Sequence, residues 1–354
     1  MNKIVIHIES GLGNQMLSYC EYLAIKKANP ESLLYIENVV YDIPECNKII
    51  NQWNGYELEN IFGIKVPNIK ECYNQEEWNS ILKDIYQSKF WEKNWNFPVH
   101  ITNALNNSGL HLKNIRGDYE TKGSITNINM QKKRKPNLKS RFRSSLLGNF
   151  LLRMYYKHNE QKIIKRHHKN LFIKYNEDIY TGHFLCLKYR GNGIEKIENE
   201  IKNSFKFPQL NGKNLEFVNS IKQLNAVAIH ARRGDMLGSN GYCYKYGYFK
   251  RAVTYIKKHV ENPVFIFFTD PGSIEWCKEN EKIFALNFKK DKVLFVDWNK
   301  GENSYRDMQL ISYCKHAIIT NSTFGWFGSY FINNPNKITI SPIEVIEINT
   351  THHL

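Results

Sequence analysis

The sequence predicts an α/β protein built on parallel, doubly wound sheets, and two stretches of the chain predict it. The first forty residues read strand, tight loop, helix and strand, and past Asn214 short apolar strands alternate with helical segments. Such alternation requires crossover connections, which lay successive strands parallel in a right-handed sense. With 354 residues the chain can bury two cores, so two domains are expected, over 1–213 and 214–354.

Residues 3–8 are apolar and β-branched, interrupted by His7 and closed by Glu9. The turn is Ser10-Gly11-Leu12-Gly13-Asn14, a helical pattern follows to Ala28, and residues 33–36 form the second strand. From Trp53 to Phe97 the pattern is mixed and helical, with Trp78, Trp91 and Trp95 as core anchors. Later strands are expected at 226–230, 264–269, 293–296, 317–320 and 337–340, and helices at 248–259, 273–280, 304–314 and 324–332. Trp276 and Trp298 are read as core, and His352 and His353 as a frayed tail.

The 42% apolar, 14% aromatic and 23% charged composition belongs to a globular chain and argues against wholesale disorder. No apolar run is long enough to cross a membrane, and the N-terminus reads as a strand where a signal peptide would carry a longer apolar run. The seven cysteines are scattered and form no CxxC pair, so neither a disulfide framework nor a zinc site is expected. A cytoplasmic location follows from that reading.

The net charge of +15 is concentrated in one place: residues 131–170 carry thirteen Lys and Arg against one acid, Glu160. The surrounding stretch, about 110–172, reads as an insertion. Within it Phe142, Leu146, Leu147, Phe150, Leu151, Met154 and Tyr155 recur at helical spacing, an apolar stripe on a basic helix. Three readings stand: a peripheral contact with an anionic membrane surface, a solvated loop, or nucleic-acid binding. The last lacks an aromatic-interleaved platform, so no nucleic acid is expected as partner. His167 and His168 lie in this stretch and read as solvated.

Three constellations fall at strand ends, where parallel sheets collect ligands. In Gly11-Leu12-Gly13-Asn14-Gln15 the glycines permit a sharp turn, and the amides of the following helix can meet a phosphate or a sugar oxygen. A plain structural turn is the alternative. In His230-Ala231-Arg232-Arg233-Gly234-Asp235, two arginines follow an apolar strand, and guanidinium suits phosphate oxygens. A solvated loop is the alternative there. In Asn321-Ser322-Thr323-Phe324-Gly325-Trp326, hydroxyls and helix N-terminal amides offer a phosphate cradle, or else a simple N-cap.

Taken in order, these motifs, with Asp307-Met308 and Cys314-Lys315-His316 between the second and third, resemble those of glycosyltransferase family 11, the bacterial and animal α-1,2-fucosyltransferases. The resemblance extends to Tyr180-Thr181-Gly182-His183-Phe184 through Phe207, to Phe268-Thr269-Asp270 and to Asp297-Trp298. It covers roughly 1–65 and 178–342, and leaves out the basic stretch. The chain departs from the family where Glu9-Ser10 replaces a further glycine, at Met236, and at Gly325 and Phe327.

The resemblance implies a GT-B-like architecture, two Rossmann-like domains facing a cleft, with the nucleotide sugar on the C-terminal one. It implies inverting, metal-independent transfer of fucose from GDP-fucose to the 2-hydroxyl of a terminal hexose, galactose by expectation, on an oligosaccharide or lipid-linked surface glycan. No metal or other cofactor is expected. Arg232 is implied for the β-phosphate and Arg233 for a supporting contact, with Asn321, Ser322, Thr323, Phe324 and Asp270 on the donor. Gly11, Gly13, Asn14 and Gln15 are implied for the acceptor or phosphate loop. Asp235 and His230 are the candidate bases, with a structural role open for both. Two other readings stay open: a different GDP-sugar, or a non-catalytic membrane-binding relative.

Overall fold

The computed structural model describes residues 1–49, 54–93, 95–115, 171–182, 193–234, 236–342 and 352–353, with scattered positions between 138 and 158. The described residues divide into two compact units: those up to 115, with 171–182 and 193–206, form the first, and those from 207 onward, with the scattered positions between 138 and 158, form the second.

The first unit is built on strands β1 (Lys3–His7), β2 (Leu33–Glu37), β3 (Lys113–Asn114) and β4 (Ile179–Gly182), in the order β2-β1-β4-β3. Every pairing is parallel. The helix Leu12–Ala28 carries the chain from β1 to β2, while β4 joins the opposite side of β1. The two neighbours of β1 are thus reached in opposite directions, which opens a crevice at its carboxyl end. Below it lies an aromatic core in which Trp78, Trp91 and Trp95 are buried as expected, with Phe90 and Phe97 packed edge-on against Trp95.

The second unit carries β5 (Asn225–Ala231), β6 (Pro263–Thr269), β7 (Lys292–Val296), β8 (His316–Ile319), β9 (Thr339–Ser341) and β10 (His352–His353), in the order β10-β9-β8-β5-β6-β7. Again every pairing is parallel. The chain starts centrally in β5, runs outward through β6 and β7, then crosses back to β8 on the other flank. This is the doubly wound Rossmann order, with its switch point between β5 and β8.

The sequence fits that burial. Residues 226–229 are an unbroken apolar run, as a strand covered on both faces must be. The helix Tyr248–His259 buries Tyr248, Phe249, Ala252, Val253 and Ile256 at spacings of one to four, an inward face set against Phe265 and Phe267.

Two expectations are corrected. His352 and His353 pair with Ile340 and Ser341 as a short sixth strand, because β9 leaves an edge there to be paired. Trp276 and Trp298 are half-buried, since each ring serves as a platform under a cation: Arg233 lies 3.3 Å above Trp276 and Lys213 4.1 Å above Trp298. The basic insertion and His167-His168 lie largely outside the described residues, but eight large apolar side chains within it, from Leu138 to Tyr155, are exposed. No described helix is long and apolar enough to cross a membrane.

Candidate functional site

The switch point of the second unit gathers the strand-end residues. After β5 the chain leaves the sheet at Arg232, whose backbone N–H donates to the Thr320 hydroxyl at 3.1 Å; Thr320 Oγ1 in turn donates to the His230 carbonyl at 3.1 Å. The ends of β5 and β8 are therefore stitched together. Asn240, fully buried, closes the same seam: its amide donates to the carbonyls of Arg232 and Asn321, each at 3.3 Å, and its oxygen accepts the Asn321 N–H at 3.0 Å. Tyr244 adds a bond to the Arg232 carbonyl at 3.0 Å.

The arginines themselves are half-buried and oriented. Arg232 pairs with the Asp270 carboxylate at 2.6 Å, and the same carboxylate accepts the Arg233 backbone N–H at 2.5 Å. Arg233 holds its guanidinium carbon 3.3 Å over the Trp276 ring, with the Tyr244 ring 5.1 Å away. A guanidinium stacked on indole keeps its in-plane N–H groups available for an anion.

Opposite them starts the helix Thr323–Tyr330. Ser322 is its N-cap, extended at φ −159°, and its hydroxyl makes no capping bond. Asn321, Ser322, Thr323 and Phe324 are all half-exposed, whereas 325–330 are buried. Positive charge, helix N-terminal amides and a partly solvated rim thus meet at one crevice, chemistry that suits an anion.

His230 is placed differently from what a base requires. It is buried, stacks on Phe324, and is pulled down to about 3 by burial and then by the Arg232 charge. A Cβ on Gly325 would come within 2.4 Å of its Nδ1, so the imidazole is the floor on which the third motif packs. Asp235 lies outside the described residues. Sequence reasoning missed Asn240, because one Asn within a helix carries no pattern.

At the far edge of this sheet, Asp307 accepts from Asn299 at 2.7 Å, and Asn299 exchanges bonds with Asn214. Burial pushes the Asp307 carboxyl up to about 7, against the Asn299 bond and with help from the Asp297 charge. Among the described residues no group of three or more His, Cys, Asp or Glu is placed to hold a metal ion.

In the first unit the glycine loop is built by other means than expected. The left-handed residue is Ser10, at φ +72°, while Gly11 is extended at φ −78° and Gly13 lies inside the Leu12–Ala28 helix. Gln15 is fully buried: its amide donates to Ser10 and Gly55 carbonyls at 2.9 and 2.8 Å, and its oxygen accepts the Glu57 N–H at 2.8 Å. These bonds brace the loop from within. Asn14 remains half-exposed, donating to the Ser10 hydroxyl at 3.0 Å.

Residues 146–349 match the family model of Glycosyl transferase family 11. The chain is similar to the Alpha-1,2-colitosyltransferase of Escherichia coli, 36% identical over 36% of this chain and 43% of that one. It is similar to the O-antigen biosynthesis glycosyltransferase WbnK of Escherichia coli, 32% identical over 33% of this chain and 38% of that one. The Galactoside alpha-(1,2)-fucosyltransferase 1 of Plecturocebus brunneus is 29% identical over 29% and 28%. The chain thus spans less than half the length of the curated relatives it matches. Among solved structures, fucosyltransferase NodZ from Bradyrhizobium aligns over 96% of this chain and 94% of its own, at 12% identity and a TM-score of 0.44.

Proposed function

The chain belongs to glycosyl transferase family 11, and from that membership we propose that it transfers L-fucose from GDP-fucose to the 2-hydroxyl of a terminal hexose, galactose, on a surface glycan. The observation that carries this reading is the pair Arg232 and Arg233 at the β5/β8 crevice, beside the N-terminus of the Thr323–Tyr330 helix. Breaking the fucosyl C1–O bond builds oxocarbenium character on the sugar and negative charge on the β-phosphate. Arg232 neutralises that charge, Arg233 supports it, and the amides after Ser322 complete the cradle. Charge neutralisation of this kind is what a divalent ion supplies in other transferases, so the reaction runs without one.

Transfer with inversion needs a base on the face opposite the leaving group. A buried imidazole held at about 3 is a poor one, so of the two sequence candidates Asp235 takes the role. Asp270 serves the donor indirectly, by aiming Arg232. The acceptor approaches the loop around Asn14, as the family resemblance implies.

A second reading keeps the crevice and changes the sugar: the colitosyltransferase relative favours GDP-colitose, whose sugar is fucose without its 3-hydroxyl. Turnover of GDP-fucose, GDP-colitose and GDP-mannose with a β-galactoside separates the two. Fucose transfer that persists in EDTA is the expected result; no turnover of GDP-fucose, or a tenfold loss in EDTA, overturns the first reading or its metal-free step respectively.

The enzyme works in the cytoplasm, peripheral to an anionic membrane face. The exposed Phe142, Leu146, Leu147 and Phe150 and the thirteen cations of 131–170 support that placement. Cosedimentation with phosphatidylglycerol vesicles, lost when Phe142 and Leu146 become Asp and absent with neutral phosphatidylcholine, is expected. Equal pelleting of the double variant would remove the membrane contact.

A further inference from the structure

The carboxyl end of β1 hides a charged cluster that the donor chemistry does not use. His7, Glu9 and Glu37 are all essentially inaccessible to solvent. His7 Nδ1 is hydrogen-bonded to Glu37 Oε1, and its Nε2 stands 3.4 Å from Glu9 Oε2, an ion-pair distance with no hydrogen bond of its own. Its ring stacks on Phe97 with centroids 3.9 Å apart.

Glu37 is fixed from two further sides, accepting from the Tyr180 hydroxyl at 2.6 Å and the Val39 N–H at 3.0 Å. Glu9 accepts from Trp95 Nε1 at 3.1 Å. Gly182, at φ +114°, lets β4 run so close that a Cβ there would meet the His7 nitrogen at 2.6 Å. Three buried ionisable groups gathered at strand ends are costly unless paired.

What they adjoin is the loop at the first unit's own switch point. Directly after Glu9 comes Ser10 in the left-handed region, which disfavours a non-glycine residue. Downstream, Ser10 is tied by the Tyr41 hydroxyl at 2.6 Å and the Gln15 amide at 2.9 Å, both on its carbonyl, and by Asn14 on its own hydroxyl. Upstream, the Glu9 side chain turns back to His7 and Trp95.

We propose that His7, Glu9 and Glu37 are positioning residues that clamp Ser10 in its left-handed form and so present the Gly11–Asn14 turn to the acceptor sugar. The proposal rests on the glycosyl-transfer reading for the word acceptor, and on the geometry alone for the clamp. The groups facing His7 are Glu9 and Glu37, with Tyr180 bonded to Glu37 and with Tyr41 and Cys46 in the field of Glu9. The imidazole, charged between two carboxylates, offers an N–H to each side and a charge to both; a neutral amide at that position has both donors on one nitrogen and no charge.

The test compares His7→Gln and Glu9→Gln with wild type in the full chain, each alone and combined with Ser10→Gly. Three measurements are made: KM for lactose against kcat, affinity for GDP by calorimetry, and amide hydrogen exchange of residues 9–14. The expected result is a lactose KM raised tenfold or more and exchange in the loop accelerated tenfold or more, with GDP affinity within twofold. Ser10→Gly, which removes the left-handed penalty, recovers at least threefold of the lost KM. Glu9→Gln keeps an acceptor for Trp95 and so guards against a variant that fails to fold. Unchanged loop exchange in both variants overturns the clamp, as does a fall in GDP affinity matching the rise in KM. Wild-type enzyme inactive on every donor would instead sink the transfer reading, and the exchange comparison would still decide the clamp.

Discussion

Arg232 and Asp270 form an ion pair 2.6 Å long across the ends of neighbouring strands β5 and β6, with the arginine side chain 18% and the aspartate 4% exposed. The acid sits where dinucleotide-binding folds place a ribose ligand, at the end of the second strand. Here that carboxylate is spent on the arginine and on the Arg233 backbone. The residue that presents positive charge to the crevice is thereby held in place before any anion arrives.

Removing that hold has a defined cost. Asp270→Asn keeps an acceptor for the Arg233 N–H but leaves Arg232 without its counter-charge, and truncating a buried pair costs about 3 kcal/mol. Urea unfolding is expected to show a loss of that order, and GDP-fucose turnover a drop of about a hundredfold. Arg232→Ala is expected to abolish turnover with the fold intact by circular dichroism; unaltered turnover would refute its role at the phosphate.

Gly325 is a packing requirement. Alanine there collides with the His230 imidazole at 2.4 Å, so Gly325→Ala is expected to cost about 2 kcal/mol, in the range of overpacked cores. With His230→Ala in the same chain the collision disappears, and the double variant should lose less than the sum of the singles. Additive losses measured by denaturation would contradict the contact.

The Asn240 amide serves both strand ends at once. Asn240→Ala leaves the Asn321 N–H and two carbonyls short of partners, at about 1–3 kcal/mol for such a loss. A raised KM for the nucleotide sugar, with little change in the acceptor KM, is expected from steady-state kinetics.

His7 makes stability depend on alkaline pH. Burial alone would lower its proton affinity, but Glu37 by charge and hydrogen bond, and Glu9 after it, raise it to about 9 from 6.5. Because the folded form binds the proton more tightly, the stabilisation is fully present below about 6.5 and is lost as pH rises through about 9. Burial holds Tyr41 and Cys46 protonated across that window. Denaturant midpoints from pH 6 to 10 should fall for wild type and flatten for His7→Gln.

Much of this architecture is legible in the chain. The opening βαβ unit, β5 through β8 and the helices between them follow from apolar runs of four to seven residues and from helical periodicity, which bury surface in only one way. β3 and β10, two residues each, carry no period to read. The second and third motifs announce their chemistry because paired arginines and a Ser-Thr helix start are unusual at strand ends.

By itself the sequence determined that a doubly wound sheet would carry Arg232, Arg233 and Ser322 near its strand ends, because residue type and local periodicity are properties of short segments. Only the tertiary structure decided which partner each group keeps. Asp270 is paired with Arg232, His230 is buried beneath Gly325, and Gln15 is tied to the Ser10 and Gly55 carbonyls. The fold also brought His7, Glu9 and Glu37 together from two strands and a loop. Pairing between charges depends on distance and burial across the fold, and neither is written in the spacing of residues along a chain.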